Sequence, residues 1–258
     1  MSQTEVRKPI MPLIAIVLVG VVALLCIAFV LPQILPSKSS NQIVESKKFQ
    51  SQEVSESVVS LNMPTFNGYV AVKPSDSRIV LINVTMRGHQ DELKDINFDF
   101  KEHPGNGMKT VSLKVRSTTM LHFGVSADID VLVPKGLVYY AILDTSNGKI
   151  EISSLKGEKL TLHTSNGAII TSLFDFGSYK LVTSNGRIEV DVVYNTPIRI
   201  QANPSNGKIN FNMPLTVTQS SDNTLFGYTS NYDSSKPNIG LQLSTSNGNV
   251  DIMYLGKD

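Results

Sequence analysis

The chain has 258 residues, with 23 Lys+Arg against 22 Asp+Glu, four histidines, one cysteine and no tryptophan. So even a charge balance argues against a nucleic-acid binder, which needs clustered basic residues to meet phosphates. A single cysteine excludes an intrachain disulfide framework and a multi-cysteine zinc site, while the length suffices for one or two domains with a real core.

Residues 1–9 form a short tail ending in Arg7, Lys8 and Pro9. From Ile10 to Leu31 no charged residue occurs, and about 1.5 Å of rise per residue carries such a run across a bilayer core of about 30 Å. The run is too long for the apolar core of a cleaved signal peptide, and no A-x-A-like site follows. Leu24-Leu25-Cys26 approaches a lipobox, but Leu25 stands where a small residue belongs. A retained transmembrane helix over 10–31, in contact with the lipid bilayer, is therefore expected. Arg7 and Lys8 on one side are offset by Lys38, Lys47 and Lys48 on the other, so the positive-inside rule barely decides orientation. The size of the C-terminal part favours placing it outside the cell. Residues 32–56 are rich in Ser, Gln, Lys and Glu without apolar periodicity and read as a polar spacer.

Beyond the spacer, over 57–258, the sequence repeats itself. Thr145-Ser146-Asn147-Gly148 recurs at Asn166-Gly167, Asn185-Gly186, Asn206-Gly207 (after Pro204-Ser205) and Asn247-Gly248, with glycines 19, 19, 21 and 41 residues apart. Asn67-Gly68 lies 80 residues before Gly148. A period near 20 marks a stacked array. Apolar residues alternate on both sides of each copy, as in Leu160/Leu162 before and Ile169/Thr171 after, which is the pattern of strands with one buried face. The positions between them, such as Lys149, Glu151, Arg187 and Glu189, read as a solvated face. Ala168 and Ile170 are an apolar exception, expected to lie under the segment after residue 212.

Asn-Gly accepts positive φ readily, so the copies are expected to be turns. Two all-β architectures fit them. One is a β-solenoid of 19–21-residue coils in which Asn147, Asn166 and Asn185 stack about 4.8 Å apart. The other is an antiparallel meander with a hairpin at each Asn-Gly. Recurrence of the same side-chain type at fixed spacing favours the solenoid.

The motifs DVLVPKG, TSNGKIEI, TSNGAII, TSNGRIEV and PSNGKINFNMP, with the earlier FNGYVAV and RIVLINVTM, resemble the DUF4097 family of adhesin-like domains. The resemblance covers residues 57–258 and implies a β-solenoid ectodomain on a prokaryotic cell surface, with no catalytic residues to carry over. It weakens at 86–110 and at 213–240, where PLTVTQSSDNTLFGYTSNYDSSKPN replaces a clean repeat with an irregular loop.

Catalytic and metal motifs fail one by one. Gly124-Val125-Ser126-Ala127-Asp128 lacks the second glycine of a nucleophile elbow, and no helix pattern follows. Ser153-Ser154-Leu155-Lys156 and Ser221-Asp222-Asn223 match two parts of the β-lactamase set without the third. His89, His103, His122 and His163 have no ligand spacing. Asp128-Ile129-Asp130 has no calcium-binding loop around it. No metal, cofactor or catalytic residue is expected, and the chain reads as a non-enzyme. Asn83-Val84-Thr85 is the one usable glycosylation sequon. Tyr228, Tyr232 and Asp233 are candidates for a binding loop contacting a surface glycan or envelope protein, with a cap over the last repeats as the competing role. The expected function is adhesion or envelope architecture. The alternative is an envelope-stress sensor acting through a partner membrane protein.

Overall fold

The computed structural model describes residues 42–105, 107–118, 124–173, 175–221 and 223–255; the segment 10–31 and Cys26 lie outside them. Among the described residues no helix is long and apolar enough to cross a membrane. The described residues are all-β, 70% of them in strands and 2% in a helix.

Among the described residues eighteen strands run in chain order as β1 (Ile43–Gln50), β2 (Val58–Pro64), β3 (Val70–Ser75), β4 (Leu81–Gly88), β5 (Ile96–Pro104), β6 (Met108–Ser117), β7 (Ser126–Pro134), β8 (Val138–Asn147) and β9 (Ile150–Asn166), then β10 (Ile169–Leu173), β11 (Gly177–Asn185), β12 (Ile188–Val193), β13 (Ile198–Asn206), β14 (Ile209–Phe211), β15 (Leu215–Ser221), β16 (Thr224–Thr229), β17 (Ile239–Asn247) and β18 (Val250–Leu255). One helical turn, α1 (Gln90–Leu93), follows β4 and is closed by a capping box between His89 and Glu92.

The strands hydrogen-bond into two walls joined through the long β9. The front wall runs β5-β6-β2-β8-β9-β11-β17-β13-β16-β15, using the second half of β9. The back wall runs β1-β4-β7-β3-β9-β10-β12-β18-β14, using the first half. Each Asn-Gly copy carries the chain from the front wall to the back wall. Because the period-2 pattern turns alternate residues inward, Leu143, Leu162, Leu181, Leu243 and Ala202 stand in register in the front wall, all buried. Ile150, Ile169, Ile188 and Val250 stand in register opposite them, fully buried. Each such leucine, isoleucine or valine side chain removes enough apolar surface to stabilise the fold by about 1.5–3 kcal/mol.

Pairing between successive copies is parallel, so the hairpin meander is not the arrangement adopted. The spatial order of copies departs from the chain order at both ends. Asn67 bridges directly to Asn147, so the copy 80 residues away in sequence is its immediate neighbour. The strands β6 and β7 stack outside β2 and β3, although they come later in the chain. At the other end β17 lies between β11 and β13, and β18 between β12 and β14. The 41-residue spacing to Gly248 is thus an excursion and return, not two further units.

Four local expectations change. The polar segment read as a spacer over 32–56 contributes a strand, β1, antiparallel to β4. The irregular stretch 213–240 is mainly a hairpin: β16 pairs with β13, and β15 pairs with β16. This hairpin extends the front wall, whereas Ala168 and Ile170 belong to the outer side of the back wall, so the expected cover over them is not provided by pairing there. Lastly, positive φ is not what selects glycine at most copies. The backbone at Gly148, Gly167, Gly186 and Gly207 is not left-handed. A Cβ at Gly167 would instead sit 2.0 Å from the Gly148 carbonyl oxygen, and the other copies repeat this approach.

Candidate functional site

Two ladders run along the turn edge. Asn147 donates its side-chain amide to Asn67, Asn166 to Asn147, Asn185 to Asn166, Asn247 to Asn185 and Asn206 to Asn247, at 2.5–2.9 Å. The expected stacking of Asn147, Asn166 and Asn185 is therefore present. Just inside it, the buried hydroxyls of Thr145, Thr164, Thr183 and Thr245 donate to the carbonyls of Gly68, Gly148, Gly167 and Gly186 at 2.9–3.0 Å. In both ladders a donor of one copy meets an acceptor of its neighbour, which ties the copies together along the turn edge.

The candidate binding loop is divided by the structure. Tyr228 and Tyr232 come together, ring centroids 5.7 Å apart. Asp233 does not join them as a free acid. Its Oδ1 accepts from Ser235 N at 2.9 Å and Ser235 Oγ at 2.7 Å, and these bonds hold its carboxyl below the usual range. The loop is stitched to the turn before β13: Asn231 donates to the Asn195 carbonyl at 2.6 Å, and Ile198 N donates to Thr229 Oγ1 at 3.0 Å. These contacts hold the loop against the start of β13.

Several other sequence candidates make contacts within the strands and turns. Asn83 lies half-buried in β4 between β1 and β7, and its amide donates to Thr85 Oγ1, the hydroxyl of its own sequon, at 3.3 Å. Asp128 is buried, ion-paired with Arg87 and accepting from Tyr69 N at 3.0 Å, while Asp130 accepts from the Tyr69 hydroxyl at 2.7 Å. Burial and these two carboxylates push the Tyr69 hydroxyl up to about 12. Arginine and tyrosine thus occupy the oxygens a calcium ion would need. His163 pairs with Asp144 at 3.0 Å on the outer face, His89 caps α1, and His103 lies on β5; His122 lies outside the described residues. Among the described residues no group of three or more His, Cys, Asp or Glu could hold a metal ion. Ser126 opens a strand rather than a helix, Lys156 pairs with Asp175 at 3.4 Å, and Asn223 donates to the Ser205 carbonyl at 2.6 Å.

What the sequence reading missed is a trough of about 690 Å³ on the outer side of the front wall. Small outward residues of β2, Val58 and Ser60, form its floor. Met108 of β6 rises on one side, and Tyr140 and Ile142 of β8 rise on the other, with Lys159 and Thr161 beyond. Ile142 is 54% exposed although its inward neighbours Ala141 and Leu143 are buried. The Tyr140 hydroxyl donates to the Glu158 carboxylate, which raises its pKa. The signal for this trough lies in the alternation itself. Where later copies turn Lys180, Gln242 and Gln201 outward, this region turns out Val58, Tyr140 and Ile142.

No family model matches the chain, and no curated protein matches it. Solved structures do. A candidate cell adhesion protein from Clostridium sporogenes aligns over 82% of this chain and 100% of its own, with 12% identity and a TM-score of 0.65. That likeness shows a shared all-β fold. A candidate adhesin from Bacteroides fragilis covers 84% of this chain and 98% of its own at 13% identity, but with a TM-score of 0.28 it supports no argument.

Proposed function

We propose that the chain is a membrane-anchored, non-enzymatic surface protein whose stacked copies form a β-solenoid of the DUF4097 kind, serving adhesion or binding in the cell envelope. The observation that carries the reading is the front-wall trough: an aromatic and apolar concavity with hydroxyl and amine edges, built on rigid strands and open to a large partner. Further support comes from Asp128, Asp233 and His163, which are held by Arg87, Ser235 and Asp144 rather than gathered around a shared cleft, and from the fold shared with the Clostridium sporogenes protein. In this reading residues 10–31 hold the chain in the bilayer and the strand domain faces outward.

The test uses the full chain in detergent, incubated with isolated cell-envelope material and with arrayed surface glycans. Retention of the native chain is expected, together with a loss of about tenfold or more for Ile142→Asp and Tyr140→Ala, since anchors in a contact carry most of its energy. Retention that is absent, or unchanged in both variants while their melting matches the native chain, overturns the assignment of the trough.

A further inference from the structure

Asn-Gly is the dipeptide in which side-chain amides are lost most readily, because glycine leaves the following backbone nitrogen unhindered. That nitrogen attacks the asparagine Cγ, forms a five-membered succinimide and expels ammonia. Water then opens the ring at either carbonyl, giving aspartate or isoaspartate. Such sequences recur throughout this repeat, and each puts a reactive pair on the exposed turn edge.

The stack engages both reacting groups at the inner copies. The attacking nitrogens of Gly68, Gly148, Gly167, Gly186 and Gly248 donate to the backbone carbonyls of Asn147, Asn166, Asn185, Asn247 and Asn206, at 2.8–3.0 Å. The side-chain carbonyls of Asn67, Asn147, Asn166, Asn185 and Asn247 each accept from the next asparagine amide. Ring closure at any of these sites must break the backbone bond, the ladder bond, or both. Asn206 is the last rung. Its amide donates to Asn247 Oδ1 at 2.9 Å, but among the described residues its own Oδ1 accepts nothing and the Gly207 nitrogen has no acceptor. Its neighbours Ser205 and Lys208 are held, by Asn223 and Asn249, so the free pair is confined to these two residues.

We infer that Asn206 is the deamidation site of the described stack, and that the ladder shields the inner Asn-Gly pairs from the same reaction. Conversion at Asn206 removes the amide that donates to Asn247 Oδ1 and leaves a carboxylate facing that oxygen. The outermost turn then frays while the inner ones hold. This inference rests on the ladder geometry and not on the adhesive reading.

The test incubates the full chain at mildly alkaline pH and follows each Asn-Gly peptide by mass spectrometry, alongside a sample held unfolded in denaturant. In the folded chain Asn206 is expected to convert about tenfold or more faster than Asn147, Asn166, Asn185 and Asn247, since the inner sites react only through local opening. In denaturant the sites are expected to converge. Folded-state conversion at Asn206 no faster than at the inner rungs overturns the inference. So does a rate order in denaturant that already matches the folded one, because sequence context would then explain it.

Discussion

The two ends of the stack are finished differently. At the end formed by β1, β4 and β5, both walls terminate in strands paired antiparallel to the last parallel copy. Phe49 of β1 meets Phe98 and Phe100 of β5 at 5.6 and 5.5 Å, and Lys47 lies 4.5 Å from the Phe98 ring centre. Just inside, the Lys109 ammonium is buried against the Gln52 and Glu53 carbonyls at 3.1 and 3.2 Å, with Glu102 at 3.6 Å. The opposite end is closed only in the front wall, by β16 and β15. Its back wall stops at the three-residue β14, where Phe211 remains 39% exposed. A parallel stack has no inherent terminus, so closure depends on elements that break the repeat. Where they are complete an aromatic plug forms, and where they are not the last rung keeps unpaired groups.

That contrast predicts graded effects of substitution. The largest falls on the interior. Gly167→Ala places a methyl against the Gly148 carbonyl inside the stack, and a loss of about 3–4 kcal/mol by denaturant unfolding is expected. Gly207→Ala meets the same contact with Gly248, but on a terminal copy with room to shift, and is expected to lose about half as much or less. Equal losses would mean the free end is as rigid as the centre. Next, Phe49→Ala opens the sealed end and is expected to cost about 2 kcal/mol, against about 1 kcal/mol or less for the half-exposed Phe211→Ala. A reversed order in thermal melts would contradict the assignment of the sealed end.

Smaller effects probe single polar groups of the back wall. Thr171 Oγ1 is buried without a hydrogen-bond partner, so Thr171→Val is expected to stabilise by about 1 kcal/mol. Asp191 is pushed above the ordinary carboxylate range by burial and by Glu189, against a Ser172 hydrogen bond. An acid with a raised folded pKa destabilises above that pKa, and the penalty disappears as pH falls below the unfolded value. Asp191→Asn should therefore raise the melting temperature slightly at neutral pH and lose that gain in acid; a gain that persists in acid would assign the effect to packing.

Much of this architecture was legible in the sequence because its determinants are local and repeated. Alternation at Leu160/Leu162 and Ile169/Thr171 gave the inward faces, and Asn-Gly marked where the chain changes walls. What could not be read was the order of neighbours. Gly248 repeats the same motif whether its copy lies beyond Gly207 or slips inside it, since the parallel contacts offered by β11 and β13 are alike. The closures at β1, β5 and β15 carry no repeat signature, which is why 32–56 looked like spacer and 213–240 like loop. The trough was readable in part: Ile142 stood outward in the alternation, but Met108 lines the same trough only because β6 is placed out of chain order beside β2.

That out-of-order placement is the centre of the account, and a pair of disulfides tests it directly. Val182 of β11 is in register with Ser244 of β17, which is in turn in register with Asn203 of β13. In a chain carrying Cys26→Ser, the pair Val182→Cys with Ser244→Cys is expected to oxidise to an intrachain disulfide, because adjacent strands fall within the roughly 4.4–6.8 Å Cα separation that such bonds need. The pair Val182→Cys with Asn203→Cys, separated by the inserted strand, is expected to stay reduced. Ready oxidation of Val182→Cys with Asn203→Cys, and none with Ser244→Cys, would show the copies stacked in simple chain order and contradict the interlocked end.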